Sequence, residues 1–343
     1  MKKVKKIKLY ILVACVAFVL VGALGLLFKY SHTPINPNGN KDVMVLVDIP
    51  TGSSFVKVTE ILNKAGLIKS RYLFYYLALT KRAFRSIQAG EYEFSDAMTP
   101  GQVLDKLVNG EIKFYKTVIP EDLTIKEIAE ILMKNRLIDE EEFFALSVDR
   151  VFLSTLGIKA NSIEGYLFPN TYYFDHSMST RKIIKIMYSE FLKRVTPEMV
   201  KRAKELGLDD LNQFVTFASI VGKESGNQPE KKTISAVFHN RLKKRMPLQS
   251  DPTAVYDLEN FSGKIRRSHL KRKSPYNTYV VRGLPPGPIA NPGLDSLKAT
   301  LNPEQVDYLF FVSKKDGTHY FSATLGMHNQ AIREYSNIKY KKQ

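Results

Sequence analysis

Twenty consecutive residues, Leu9 to Phe28, carry no charge. A run of that length constrains the chain more than any motif after it. Lipid offers backbone groups no hydrogen-bonding partners, so such a segment is helical, and twenty residues at 1.5 Å each span a hydrocarbon core of about 30 Å. Lys2, Lys3, Lys5, Lys6 and Lys8 precede the run. Basic residues stay on the cytoplasmic side, so the rest of the chain is expected outside. A cleaved signal peptide does not fit, because the run is too long and no small-x-small site closes it. Leu12-Val13-Ala14-Cys15 has the outline of a lipobox, but the apolar run continues far past Cys15. The reading is an uncleaved single-pass anchor at 8–30 behind a basic tail at 1–7, with Cys15 a small residue buried in lipid.

The 343 residues carry 51 Lys and Arg against 34 Asp and Glu, a net charge of +17, which favours anionic partners. Lys264–Lys273 (KIRRSHLKRK) is the densest basic run. A nucleic-acid partner is not expected, because the topology places this run outside the cell and no base-reading motif accompanies it. It reads as a surface that follows anionic polymer. One Cys excludes an internal disulfide. The six His show no metal-ligand spacing, and no phosphate loop or Ser-His-Asp order is present, so no metal or cofactor is expected.

Residues 31–42 are rich in Pro, Asn and Gly and read as a linker. A repeat follows. Ile49-Pro50 is matched by Ile119-Pro120, and the same offset pairs Glu60 with Glu130, Ile61-Leu62 with Ile131-Leu132, and Lys64 with Lys134. It also pairs Leu67-Ile68 with Leu137-Ile138 and Phe74 with Phe144. Each copy reads as a strand ending at Pro, a helix, and a second helix capped by Ser70 or Asp139. In the first copy Glu91–Phe94 alternates as a returning strand, and Thr99-Pro100 opens a further helix. Strand, helix, helix, strand is the order of a LysM-like module, a class that binds N-acetylglucosamine polymers. The fold class expected is α+β: a transmembrane helix, a LysM-like βααβ module at 43–117, a partial second copy at 118–160, a mixed α+β domain at 161–338, and a basic tail at 339–343.

Chemistry concentrates in Phe214–Asp251. Leu211–Val221 is apolar on all sides of a helical period, a buried helix. Glu224 ends it, before Ser225, Gly226, Asn227 and Pro229. A carboxylate leaving a buried helix either turns to water or sits half-desolvated at a cleft floor, where burial raises its pKa. Glu164 is a second acidic candidate, among Tyr166, Phe168, Tyr172 and Tyr173, whose rings suit sugar faces, and Asn170, whose amide suits sugar hydroxyls and acetamides. The plainer reading of that stretch is a β-hairpin turning at Pro169-Asn170. Ile234, Val237, Phe238 and Leu242 form the buried stripe of the helix from Pro229 to Lys244. On it, His239 reads as a packing residue, and Asn240 and Arg241 as groups that orient a sugar or brace Glu224. Asp251, before Pro252, reads as a helix cap, leaving Gln249 and Ser250 exposed at a helix N-terminus. SPYNTY, with Tyr276, Asn277 and Tyr279, and GLPPGPIANPG read as rigid loops that hold cleft walls.

FASIVGKES, VFHNRLKKRMPLQSDPTAVY, SPYNTY, GLPPGPIANPG and SLKA resemble, in order, the catalytic domain of the MltG (YceG-like) endolytic murein transglycosylases, over about Glu164 to Asn329. The resemblance makes Glu224, the Glu of ASIV-x-K-E, the catalytic acid. It puts the Asn161–Asp175 stretch near the cleft, and the residues expected to bind substrate are Glu164, Tyr166, Asn240, Arg241, Gln249, Ser250, Asp251, Tyr276, Asn277 and Tyr279. Gly222 stands where Glu is common, and Asn170 where the family's EG-x-x-x-PDTY has Asp. It implies a lyase that cleaves MurNAc–GlcNAc bonds of nascent peptidoglycan strands beside their synthases. The rival readings are a muramidase using Glu224 with Glu164 or Asp251, and a non-catalytic wall-binding scaffold.

Overall fold

The computed structural model describes residues 2–36, 43–225, 228–259 and 261–336. Helix α1 (Lys2–His32) is long and apolar enough to cross a membrane. The linker reading gives way at its start. Ser31 and Ile35 are buried, and Ile35 donates its N–H to Met98 O, because Leu27 and Tyr30 bring the helix end onto the next core. The rest of that stretch, 37–42, lies outside the described residues.

The chain divides into two compact units, Met1–Tyr115 with Tyr173–Met178, and Lys116–Tyr172 with Ser179–Gln343. The first holds β1 (Met44–Ile49), α2 (Phe55–Lys64), α3 (Arg71–Thr80), β2 (Gly90–Ser95) and α4 (Pro100–Asn109). β1 and β2 are antiparallel, with Val47 opposite Tyr92 and Val45 opposite Phe94. Ser54, Ser70 and Thr99 cap the three helices. Their apolar faces meet the sheet through Val58, Leu62, Phe74, Leu77, Val103, Leu104 and Leu107.

The second unit repeats the plan. β3 (Tyr115–Ile119) and α5 (Ile125–Lys134) follow, and α5 stands seventy residues after α2 to the residue. α6 (Glu140–Val148) begins one residue earlier than that offset, because Asp139 caps it where Ser70 caps α3. Phe143 thus fills the buried place of Phe74, and the matched Phe144 is half-buried. α7 (Arg150–Thr155) is an insertion before β4 (Asn170–Phe174), which pairs with β3. The expected local hairpin at Pro169-Asn170 is therefore absent, and the returning strand of the second copy lies beyond the boundary drawn at 160.

α8 (Thr180–Arg194) and α9 (Pro197–Glu205) lead to α10 (Leu211–Glu224). Asp210 caps α10 by accepting Gln213 N–H at 2.8 Å, and every residue from Phe214 to Gly222 is buried. α11 (Lys231–Lys243) follows a short 3-10 turn, then α12 (Asp251–Val255), α13 (Arg267–Lys271) and α14 (Leu294–Leu301). α10 packs on α9, α11, α12 and α14. The unit ends with the antiparallel hairpin β5 (Phe310–Ser313) and β6 (His319–Ser322), and α15 (Leu325–Ser336). The basic tail at 339–343 lies outside the described residues.

Candidate active site

α10 ends because Ser225 turns back on it, its Oγ–H donating to Val221 O at 2.7 Å. Gly226 and Asn227, read as part of the stop, lie outside the described residues. This termination leaves Glu224 at the mouth of a buried helix, on the wall of a cavity of about 280 Å³. Arg241, Leu248, Gln249, Asp251, Tyr279, Phe311, His319 and His328 are among the other lining residues.

Two donors hold one carboxyl oxygen of Glu224. Ser250 Oγ–H donates to Oε1 at 2.6 Å and Asp251 N–H donates to the same atom at 3.1 Å. Oε2 has no partner among the described residues, so in the protonated acid the hydrogen resides there. Burial raises the Glu224 pKa to about 7, and the nearby Asp251 carboxylate adds to the rise. The two hydrogen bonds and Arg241 oppose it. A carboxyl group balanced near neutrality both gives and takes a proton readily at working pH.

Ser250 is fixed in turn. Its N–H donates to Thr278 Oγ1 at 2.9 Å, its carbonyl accepts Thr253 Oγ–H at 2.6 Å, and the two threonine hydroxyls are 2.7 Å apart. Ser250, Thr253 and Thr278 are fully buried. Asp251 opens α12 without capping it. Its backbone serves Glu224, and its Oδ1 accepts Tyr279 O–H at 2.6 Å. Gln249 lines the cavity at φ 54°, a left-handed conformation uncommon for a non-glycine residue, and its N–H donates to Thr278 O at 3.0 Å.

Arg241 is buried and lines the cavity. Its Nε donates to Leu309 O at 2.6 Å and its Nη1 to Leu248 O at 2.8 Å. The guanidinium lies 5.2 Å from the Phe310 ring centre. One side chain thereby ties the segment before α12 to the strand β5. Asn240 adds a second tie, donating to Val306 O at 2.7 Å and Tyr308 O at 3.0 Å, and it does not line the Glu224 cavity. His239 is core, with its Nε2 2.9 Å from Thr300 O and its ring 4.3 Å from Phe217.

Four more of the expected substrate residues lie elsewhere. Glu164 is 1% exposed. It accepts Ile125 N–H at 3.0 and 3.1 Å, Tyr256 O–H at 3.0 Å and Asn291 Nδ2–H at 2.7 Å. It is an internal carboxyl group at the N-terminus of α5, where the helix dipole and its donors favour the ionised form, but burial outweighs them and lifts its pKa to about 7. Tyr166 is buried and donates to Asn212 Oδ1 at 3.3 Å. Asn277 is fully buried and donates to three carbonyls of the 269–272 turn. Tyr276 packs on Tyr256 with ring centres 4.8 Å apart. The cavity residues that sequence reasoning missed are Phe311, Val312, Ser313, His319 and His328, which reach it through the hairpin and α15. His319 Nδ1 is 2.8 Å from Glu230 Oε2, and burial lowers the pKa of His328.

The model of the YceG-like family matches residues 47–334. A Bacillus subtilis protein called endolytic murein transglycosylase is 33% identical over 93% of this chain and 92% of its own. A Streptococcus pneumoniae protein of the same name is 30% identical over 97% of this chain, which spans 66% of that longer protein. A crystal structure of a YceG-like protein from Listeria monocytogenes superposes with a TM-score of 0.59 at 32% identity, covering 84% of this chain and 98% of the other.

Proposed function

The chain belongs to the YceG-like family, and from that premise we propose that it is a membrane-anchored endolytic murein transglycosylase. The observation that carries the mechanism is the unequal treatment of the Glu224 oxygens, Oε1 held by two donors and Oε2 left to carry the proton. Glu224 protonates the oxygen that links MurNAc C1 to GlcNAc. As that bond breaks, positive charge develops at C1. The 6-hydroxyl of the same MurNAc attacks C1, and Glu224, now a carboxylate, removes its proton. The enzyme ends in its starting form, the product carries a 1,6-anhydro end, and no water is consumed. Intramolecular attack spares the entropy of ordering a water molecule, so one carboxyl group serves both steps.

The hydrolase reading needs a second carboxylate. Glu164 is spent on internal donors, which leaves Asp251, on the wall of the same cavity. Mass spectrometry of products from purified peptidoglycan separates the two: anhydro ends for the lyase, reducing ends for the hydrolase. Glu224→Gln keeps shape without the acid, and cleavage by that variant at the wild-type rate would end the assignment.

The finer parts of the proposal are these. Arg241, Gln249, Asp251 and Tyr279 contact the glycan, with Ser250 setting Glu224. Residues 43–117 are a LysM-like module, which the β1–α2–α3–β2 order supports. The lysines at the start of α1 remain cytoplasmic and the chain after α1 lies on the far side of the membrane. Confinement there favours nascent strands near their synthases, and internal cleavage sets their length.

A further inference from the structure

Helix α3, RYLFYYLALT, is apolar on every side, yet only Phe74, Leu77 and Ala78 are buried. Tyr72, Tyr75, Tyr76 and Leu79 stand 81%, 45%, 56% and 51% exposed. Their spacing of i, i+3, i+4 and i+7 places all four on one stripe, opposite the core. A helix apolar all round is one that is covered on both faces, and four large side chains in a row form a patch that marks an interaction surface.

Two further observations say what covers it. The first is position. Tyr30 O–H donates to the carbonyl of Ser70, the cap of α3, at 3.1 Å, and Leu27 and Tyr30 pack on the core of the same unit. Gly101 admits the chain closely, since a Cβ there would meet Ser31 O at 2.7 Å. Phe28 is the last residue of the uncharged run, so Tyr30 lies about 3 Å further along the helix axis. The start of α3 is therefore pinned at the level where hydrocarbon gives way to headgroups. The second is charge. Between Glu60 and Glu91 there is no acidic residue and there are six basic ones. Lys69 and Arg71 at one end of α3, and Arg82 and Arg85 at the other, are exposed and form no ion pair among the described residues. Tyrosines flanked by cations suit a membrane interface, where the ring sits among the headgroups and the cations meet phosphate.

We propose that the exposed stripe of α3 is a lipid-docking surface, lying in the headgroup layer of the leaflet at which α1 ends. The proposal rests on α1 crossing that bilayer. The first unit then lies down on the membrane through Tyr72, Tyr75, Tyr76 and Leu79, in addition to hanging from its anchor.

The chain has no Trp, so a single introduced indole reports without background. Tyr76→Trp, Tyr72→Trp, Phe18→Trp in the anchor and Leu192→Trp on α8 are made in the full-length chain. Each is reconstituted in phosphatidylcholine vesicles containing one-third phosphatidylglycerol, with bromine on the lipid chains either near the headgroup or deep in the core. Docking gives blue-shifted emission for Tyr76→Trp and Tyr72→Trp, quenched more by the shallow bromolipid, while Leu192→Trp stays water-like. Phe18→Trp is quenched by the deep one. If Phe18→Trp is quenched but both α3 indoles emit as in water, the docking surface is refuted and the anchor stands. Shielding of both from iodide without lipid quenching means that protein covers the stripe, which also refutes it. An unquenched Phe18→Trp removes the anchor and the proposal together.

Discussion

Replacing Ser250 by Ala removes the 2.6 Å hydrogen bond to Glu224 Oε1 and leaves the bond from Asp251 N–H in place. A hydrogen bond to a charged group is worth about 1.5–3 kcal/mol, and roughly half that when the acceptor is neutral. The ionised form of Glu224 thus loses about 0.8–1.5 kcal/mol more than the protonated form. At 1.36 kcal/mol per pKa unit, the pKa rises by up to about one unit above its value of about 7. The alkaline limb of kcat/KM against pH reports the protonated acid in the free enzyme, so it moves up by the same amount on purified peptidoglycan. Asp251→Asn removes a charge that raises the same pKa, so the limb moves the other way. A Ser250→Ala variant that unfolds like wild type but keeps its limb in place, or lowers it, would refute the assignment of the proton to Glu224.

Glu164 has a folded pKa of about 7 against an ordinary 4.5, so the stability it confers is complete below 4.5 and is lost as pH rises towards 7. The gap is worth about 3 kcal/mol. Denaturant unfolding in detergent should show Glu164→Gln gaining on wild type by about that much between pH 4.5 and 8, and parallel curves would exclude it. Asn291 Oδ1 accepts Gly165 and Leu167 N–H, and its Nδ2 donates to Leu123 O and Glu164. Asn291→Ala should therefore cost about 3–5 kcal/mol, measured by the same unfolding, and a loss below 1 kcal/mol would contradict the network. A methyl at Gly222 would overlap the buried Asp122 carboxyl. Gly222→Ala should cost about 1–3 kcal/mol and lower kcat, whereas unchanged Tm and kcat would show that the last turn of α10 has room.

The repeat was legible because its capping residues and apolar spacing are local signals, and α2 and α5 keep the same register. Glu224 was legible for the same reason: an apolar run that ends at one carboxylate fixes where that group emerges. Polar residues near it were harder to sort. Ser250, expected exposed, is buried and donates to Glu224, and Asp251, expected as a cap, caps nothing, because neighbours in sequence give no sign of which faces a group 26 residues away. Glu164 and Asn277 look like sugar ligands in a motif, but their partners are internal groups brought by the fold, backbone for Asn277 and backbone with Tyr256 and Asn291 for Glu164. The strands Tyr308–Val312 and His319–Ser322 were legible as a hairpin, but that Phe311 and His319, with His328 of α15, line the Glu224 cavity follows only from tertiary packing.

The first unit is not continuous in sequence. Its last piece, Tyr173–Met178, is made after the chain has left it at Tyr115 and built β3 through most of β4. That piece brings His176 to within 3.1 Å of the buried Glu91, beside the Tyr115 hydroxyl that donates to the same oxygen at 2.7 Å. During synthesis this latch therefore forms only after some sixty further residues, and it costs a loop entropy that the contacts within the contiguous part avoid. A fragment cut at residue 117 keeps the buried core of the first unit, whose residues lie between Ile35 and Leu107, but lacks this latch.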